Sequence, residues 1–122
     1  MRAVQFHETG GPEVLQLVEL PTPAPAEGQV LIRHEAIGIN FIDTYFRSGL
    51  YPAKLPFTPG QEAAGVVEAV GPGVRGFAPG ERVAYTGGST YAEFGLAPAR
   101  QLLKLPDGVS AQVAAAALLK GM

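Results

Sequence analysis

Hydrophobic and polar positions follow one another along this chain in short runs that are typical of β-strands. Residues 1–6 and 14–20 are two such runs, and Gly10, Gly11 and Pro12 form a turn signal between them. Two β-compatible runs joined by glycine and proline are the pattern of a hairpin. The sequence therefore predicts that the chain opens with a β-hairpin.

The next region predicts an extended connection followed by a longer strand. Residues 21–28 contain three prolines at alternate positions, which exclude a helix. In residues 29–40 apolar and polar side chains alternate, as expected for a strand with two different faces. The two predicted faces are Val30, Ile32 and His34 on one side, and Leu31, Arg33 and Glu35 on the other. We expect the second set to face solvent.

The spacing of the apolar residues becomes helical in residues 40–49. Phe41 is followed at the fourth position by Tyr45, and Ile42 by Phe46, while Asn40, Asp43 and Arg47 form a polar stripe. This pattern predicts a short helix that is capped by Asn40 and ends at Gly49. The prolines of residues 51–60 then predict a loop.

The second half of the chain predicts more short strands and one further helix. The predicted strands are residues 63–70, 89–98 and 101–106, and Gly87 and Gly88 mark a turn before the second of these. Residues 110–121 are rich in alanine, with Ser110 as a candidate N-cap and Gly121 as a candidate C-cap. Together these elements predict a mainly β domain with short helices.

The composition is typical of one folded domain, and the charge gives no sign of nucleic acid or lipid as a partner. Hydrophobic residues make up 47% of the 122 residues and charged residues 16%, while 16 glycines and 11 prolines imply many turns. The net charge is -2 and charges of one sign form no long runs, so the sequence shows no basic patch of the kind that binds nucleic acid or anionic lipid. We expect a cytoplasmic protein, because the chain contains no cysteine. No segment resembles a signal peptide or reaches the ~18 apolar residues of a membrane span.

Residues 71–76, GPGVRG, match the dinucleotide fingerprint G-x-G-x-x-G. That fingerprint binds a pyrophosphate only when a helix follows it, because the helix N-terminus supplies the amide donors. Pro79 and Gly80 interrupt any helix at this point, and Glu93, at the distance of a ribose-binding carboxylate, lies in a predicted strand. We therefore predict a tight turn here.

A longer motif that contains this turn resembles a known family. Residues 60–74, GQEAAGVVEAVGPGV, are similar to the G-H-E-x-x-G-x-V-x-x-x-G-x-x-V signature of the medium-chain dehydrogenase/reductase superfamily. The matching positions are Gly60, Glu62, Gly65, Val67, Gly71 and Val74. Residues 36–52 resemble its quinone oxidoreductase branch, and further blocks match in order at residues 6–19, 77–85 and 105–121.

The resemblance implies a GroES-like, partly open β-barrel as the fold of residues 1–122. In complete members of the family, a Rossmann domain that binds NADPH follows this domain, and a C-terminal segment returns to it. We expect the present chain to lack both parts and to be the catalytic domain, inactive by itself. Absence of the return segment would leave the barrel incomplete.

The resemblance also implies that zinc is not used. In the zinc alcohol dehydrogenase branch, a cysteine stands at the position of Asn40 and a histidine at the position of Gln61. Amide side chains are not usual zinc ligands, and the chain contains no cysteine. Without zinc to polarise an oxygen, the site would need hydrogen-bond donors to stabilise negative charge. A readily reduced acceptor such as a quinone suits this chemistry.

The family motif indicates which residues form the site. The expected catalytic residues are Asn40, Tyr45 and Asp43, and the expected contacts to the cofactor are Asn40, Phe41, Ile42, Asp43, Thr44 and Tyr45. Gln61 is expected in the substrate pocket. Structural alternatives remain: Asn40 suits an N-cap, Tyr45 suits core packing with Phe41, and Asp43 suits a solvated pair with Arg47.

Other polar residues favour structural roles. Glu62 belongs to the signature, but a carboxylate beside a buried strand is also a common hydrogen-bond acceptor, the role that we favour. His7 and His34 lack a second ligand at a useful spacing, so we expect surface or hydrogen-bonded structural roles for both. Ser89 lacks the G-x-S-x-G context of a hydrolase nucleophile.

The leading hypothesis is the catalytic domain of an NADPH:quinone oxidoreductase that works without zinc, with homo-oligomers possible for the full-length protein. An enone or enal reductase of the same superfamily is the nearest enzymatic alternative. A non-enzymatic GroES-like module for binding or assembly is a second alternative, although it leaves the motifs at residues 40–45 and 60–65 unexplained.

Overall fold

The computed structural model describes residues 1–39, 41–49 and 55–106, and within residues 41–45 it describes the backbone and the side chain of Asp43. The strands of this part are β1 (Arg2–Gln5), β2 (Gln16–Glu19), β3 (Gln29–Ile37), β4 (Glu62–Val70), β5 (Arg82–Thr86), β6 (Phe94–Pro98) and β7 (Leu102–Lys104). One α-helix, α1 (Phe41–Ser48), and two 3-10 turns, Pro12–Val14 and Ala99–Gln101, accompany them. The predicted helix at 110–121 lies outside the described residues.

The opening hairpin is confirmed. Strands β1 and β2 pair antiparallel, with Arg2 opposite Glu19 and Gln5 opposite Gln16. An isolated bridge between Ala3 and Ala92 joins this hairpin to the rest of the molecule. The hairpin is therefore a separate two-stranded sheet held beside the main sheet.

The main sheet is antiparallel and has the order β6-β3-β4-β5-β7. Strand β3 lies against both β4 and β6, so that Val30 is opposite Val70 on one side and Ala97 on the other. The pairing of β3 with β4 shifts register twice, between Leu31 and Ile32 and again after His34. The protein is thus mainly β with few helices, in agreement with the expected GroES-like, partly open β-barrel.

Two details of the predicted strands are wrong. Leu31 is buried, with Ala69 and Leu96 opposite it in β4 and β6, whereas Arg33 and Glu35 of the same predicted face are exposed. The predicted strand at 89–98 is regular only from Phe94 onward. The residues before Phe94 instead form hydrogen bonds to distant parts of the chain. Tyr91, for example, donates its N–H to the Pro59 carbonyl at 3.0 Å.

The core lies along the middle of the main sheet. Its buried side chains are Val30, Ile32, Ala63, Val67, Val83, Tyr85, Ala97 and Leu102. These residues come from β3, β4, β5, β6 and β7, so the central strands are joined by one continuous apolar cluster. Burial of such surface contributes about 25 cal/mol per Å² to the free energy of folding.

The loop GPGVRG is a turn, as predicted. Gly71 donates its N–H to the carbonyl of Gln29 at 2.7 Å, and Gly28 donates to the carbonyl of Pro72 at 2.9 Å. A Cβ atom on Gly71 would collide with the carbonyl oxygen of Ala26. The next regular element is strand β5, so the loop closes a strand connection and precedes no helix N-terminus.

Candidate active site

Helix α1 carries the backbone of residues 41–45, which the motif assigned to the cofactor and substrate. Its last turn is fixed by the loop after β1. Gly10 donates its N–H to the carbonyl of Arg47 at 2.9 Å, and the Arg47 side chain donates Nε–H to the carbonyl of Gly10 at 3.4 Å. The helix ends at Ser48, and the φ of 88° at the following Gly49 matches the predicted glycine stop.

Three phenylalanine rings connect α1 to the body of the domain. The ring centroids of Phe46 and Phe57 are 5.3 Å apart, and those of Phe57 and Phe6 are 5.4 Å apart in an edge-to-face arrangement. Phe6 and Phe57 also exchange two backbone hydrogen bonds of 3.0 Å. Helix α1 therefore rests on a rigid aromatic support.

Asp43 is the one predicted site residue on α1 whose side chain is described. It is 4% exposed, so its carboxylate is not solvated, which the predicted alternative of a solvated pair with Arg47 assumed. The hydroxyl of Tyr91 donates a hydrogen bond of 2.9 Å to Asp43 Oδ2. Burial, and then the adjacent Asp43 carboxylate, raise the pKa of Tyr91 well above its ordinary value, which keeps this hydroxyl protonated.

The other predicted residues of this segment remain predictions. Asn40 lies outside the described residues, as do the side chains of Phe41, Ile42, Thr44 and Tyr45. Their assigned roles as catalytic groups, cofactor contacts, N-cap or core packing are therefore open.

Gln61 lies directly before β4 and is partly buried, and its carbonyl accepts a hydrogen bond of 2.9 Å from the N–H of Gly87. Tyr91 connects this region to α1, because its N–H bonds to Pro59 while its hydroxyl bonds to Asp43. The structure thus links the segment before Gln61 to the first turn of α1.

The two residues that sequence reasoning missed are Thr90 and Tyr91. Thr90 is fully buried, and a Cβ atom on Gly60 would collide with its hydroxyl oxygen. Both residues lie in the predicted strand at 89–98. Gly87, Gly88 and Ser89, directly before Thr90, were the available signal that this segment begins in a loop.

The predictions for the remaining polar residues differ in outcome. His7 is exposed, as expected, and Glu62 is 1% exposed, while its role as a structural acceptor stays a prediction. His34 is hydrogen-bonded as expected: its Nδ1 lies 2.8 Å from the carbonyl oxygen of Ala92 and its Nε2 lies 2.7 Å from the hydroxyl of Tyr85. A carbonyl can only accept, so Nδ1 carries the proton and Nε2 accepts from Tyr85 in the neutral ring.

Burial lowers the pKa of His34 below 6.5, against a smaller opposite effect of the Ala92 carbonyl. The unfolded chain therefore binds a proton more readily than the folded protein. We expect the free energy of unfolding to be fully retained above pH 6.5 and to fall below it, by up to ~1.4 kcal/mol per pH unit, until the folded pKa is reached.

Urea unfolding between pH 5 and 8 checks this expectation. A His34→Gln variant should lose most of this pH dependence, and a His7→Gln variant, altered at an exposed histidine, should keep it. An unchanged pH dependence in His34→Gln would contradict the assignment.

A groove of about 480 Å³ runs between the hairpin, the end of β3 and residues 91–93. Three of its apolar lining residues are exposed, namely Leu17 (70%), Ile37 (36%) and Ile39 (77%). Neither Asp43 nor Gln61 lines it. Tyr91, whose hydroxyl bonds to Asp43, does line it.

The described part contains no group of three or more His, Cys, Asp or Glu side chains placed to hold a metal ion. Within the same residues, no helix has both the length and the apolar character needed to span a bilayer.

Comparisons with known proteins identify the family. The alcohol dehydrogenase GroES-like domain matches residues 26–107. A quinone oxidoreductase of Pseudomonas aeruginosa is 48% identical over 99% of this chain, which covers 38% of that relative. The crystal structure of Escherichia coli quinone oxidoreductase complexed with NADPH superposes with a TM-score of 0.96 at 46% identity, covering 99% of this chain and 38% of the other.

A 2-haloacrylate reductase structure is also similar, with a TM-score of 0.88 and 40% identity, covering 99% of this chain and 37% of the other. The chain spans a little more than a third of the length of these relatives. The chain therefore belongs to the alcohol dehydrogenase GroES-like domain family of the medium-chain dehydrogenase/reductase superfamily and, within it, to the quinone oxidoreductase branch.

Proposed function

We propose that this domain is the catalytic part of an NADPH:quinone oxidoreductase that works without zinc, within a longer polypeptide that also carries a cofactor domain. The supporting observation is the likeness to a quinone oxidoreductase complexed with NADPH over 99% of the chain at a TM-score of 0.96. The site residues proposed for this activity are Asn40, Asp43, Tyr45 and Gln61.

The donor set of this segment fits the nicotinamide end of NADPH. An amide at Asn40 and a phenol at Tyr45 can donate hydrogen bonds without charge, which suits a carboxamide or a quinone oxygen. The pyrophosphate end does not fit here, because GPGVRG is bonded to residues 26–29 and leads into strand β5. Its site would lie in the cofactor domain.

The chemistry supplied by bound NADPH is a hydride, and a quinone that takes up this hydride and one proton becomes a hydroquinone. The residues of this domain would hold the two reactants together, which lowers the entropic cost of the reaction. Tyr45, with an ordinary pKa near ~10, would donate a hydrogen bond to the oxygen that becomes negative. Helix α1 would keep these donors in place through its contacts to residues 10 and 57.

Independence from zinc is part of the proposal. Asn40 and Gln61 stand where the zinc branch carries cysteine and histidine, and the chain contains no cysteine. Carboxamides are poor zinc ligands compared with thiolates and imidazoles, so this donor set does not fit the metal. Charge on the substrate oxygen would then be stabilised by hydrogen bonds.

A second candidate is reduction of an activated carbon–carbon double bond. The likeness to a 2-haloacrylate reductase at 40% identity favours it over a non-enzymatic role in binding or assembly. An enone, an enal and a quinone all accept hydride into a conjugated carbonyl system, so one site can serve each of them.

The partners and location of the protein follow from the same proposal. A quinone-like small molecule would be its substrate, and the longer polypeptide could form homo-oligomers. We further propose a cytoplasmic protein that binds neither nucleic acid nor membrane, supported by the net charge of -2.

Turnover assays on the longer polypeptide test the proposal. We expect it to oxidise NADPH with simple quinones and to retain this activity after treatment with a chelator, while the 122-residue chain alone stays inactive. Enones and enals are assayed in parallel, and faster turnover of these would favour the second candidate. Absence of NADPH oxidation with every acceptor, or its loss on chelation, would overturn the proposed function.

A further inference from the structure

We propose that Tyr91 is a positioning residue for this reaction, which holds the first turn of α1 in place through its hydrogen bond to Asp43. The inference rests on the proposed function, because that turn carries the residues assigned to the nicotinamide and the substrate. Tyr91 lies outside the family signature of residues 60–74 and outside the segment at residues 40–45.

The backbone of Tyr91 is itself firmly held. Its N–H donates to the carbonyl of Pro59 at 3.0 Å, and its carbonyl accepts a hydrogen bond of 2.8 Å from the N–H of Val4. A Cβ atom on Gly60 would approach the Tyr91 ring to within 2.8 Å, so the ring packs closely on that glycine. Tyr91 is therefore anchored to β1 and to the bend before β4.

From this anchor the hydroxyl reaches Asp43 Oδ2 at 2.9 Å. Asp43 is only 4% exposed, so this hydrogen bond to a carboxylate is largely shielded from water. Hydrogen bonds to charged groups are about twice as strong as neutral ones. The contact can therefore fix the first turn of α1 relative to two other elements.

The last turn of α1 is held by different contacts. Arg47 bonds to Gly10 through backbone and side chain, and Phe46 packs on Phe57. Loss of the Tyr91 hydroxyl should therefore loosen the first turn more than the last. A displacement of about 1 Å at reacting groups can lower a rate ~100-fold, so a partial loosening is expected to matter.

Tyr91 would act as a hydrogen-bond donor throughout the working range. Burial, followed by the effect of Asp43, raises its pKa well above the ordinary value, so that the hydroxyl stays protonated. A residue of this kind holds a neighbour and exchanges no proton during turnover. The shape of the pH profile of kcat should therefore be the same with and without the hydroxyl.

The test compares Tyr91→Phe with Tyr85→Phe in the longer polypeptide. Tyr85 is fully buried, and its hydroxyl lies 2.7 Å from Nε2 of His34, a residue of β3. In Tyr91→Phe we expect kcat to fall ~10-fold and KM for NADPH to change less than ~3-fold. The kinetic isotope effect with NADPH deuterated at C4 should rise, because hydride transfer becomes more rate-limiting.

Tyr85→Phe should keep its kcat and its isotope effect, although it loses a comparable buried hydrogen bond. An unchanged isotope effect in Tyr91→Phe, or a shift in its pH profile, would overturn the positioning role.

Hydrogen exchange of the α1 amides gives a readout that needs no turnover. In Tyr91→Phe the first turn of α1 should exchange ~10-fold faster than in the wild type, and Tyr85→Phe should leave it unchanged. If the wild-type protein did not oxidise NADPH, the proposed function would be overturned. If hydrogen exchange in Tyr91→Phe were unchanged, only the inference about Tyr91 would be overturned.

Discussion

Replacement of Gly65 by valine is expected to unfold the protein. Gly65 lies opposite His34 in β3 and Val83 in β5, in the middle of the main sheet. A Cβ atom at this position would collide with the carbonyl oxygen of Arg33, which belongs to the backbone of β3 and cannot rotate away. The strands would have to separate, at an expected cost of ~3 kcal/mol or more, a large part of the stability of a small domain.

Urea unfolding followed by circular dichroism measures this effect. The matched control is Gly88→Val, because a Cβ atom on Gly88 would have no heavy atom within 4 Å. This variant should change the free energy of unfolding by less than ~0.5 kcal/mol. Equal unfolding midpoints for Gly65→Val and the wild type would contradict the close approach of β3 and β4.

Phe6→Ala is expected to have the second largest effect, with a loss of ~3–5 kcal/mol in the free energy of unfolding. Phe6 is fully buried and packs edge-to-face on Phe57, which in turn contacts Phe46 of α1. Removal of its ring leaves a cavity beneath the helix that carries the proposed site. We therefore expect activity of the longer polypeptide to fall at temperatures where the variant is still folded.

Thermal and urea unfolding measure the free energy of unfolding of Phe6→Ala. The control is Leu17→Ala, because the Leu17 side chain is 70% exposed. This control should change the free energy of unfolding by less than ~0.5 kcal/mol. A loss below ~1 kcal/mol in Phe6→Ala would contradict the aromatic support of α1.

The parts of the fold that the sequence predicted depend on local signals. The hairpin of β1 and β2 was marked by glycine and proline between two apolar runs, and α1 by helical spacing and a glycine stop at Gly49. The turn at 71–76 was correctly separated from a nucleotide loop because Pro79 and Gly80 follow it. Each of these signals lies within about ten residues of the element that it determines.

The parts that could not be predicted depend on contacts between distant residues. Leu31 is buried with Leu96 and Ala69 opposite it in the neighbouring strands, and the alternation of apolar and polar residues along β3 does not identify these neighbours. Tyr91 meets Asp43 across 48 positions of the chain, so its link to the site has no local pattern. Family resemblance pointed to residues 40–45 and 61, but it did not identify the tyrosine that contacts this segment.

The position of β3 between β4 and β6 has a consequence during protein synthesis. Strand β4 is the next strand along the chain after β3, but the other edge of β3 pairs with β6, where Gln29 meets Pro98. Ribosomes add about 5–20 residues per second, so the hydrogen-bonding edge beside Val30 and Ile32 stays open for several seconds as the chain emerges. Open edges of apolar strands pair readily with other chains. During this interval the nascent polypeptide can either fold or aggregate. The outcome depends on how soon residues 94–98 leave the ribosome, or on protection of the open edge by a chaperone.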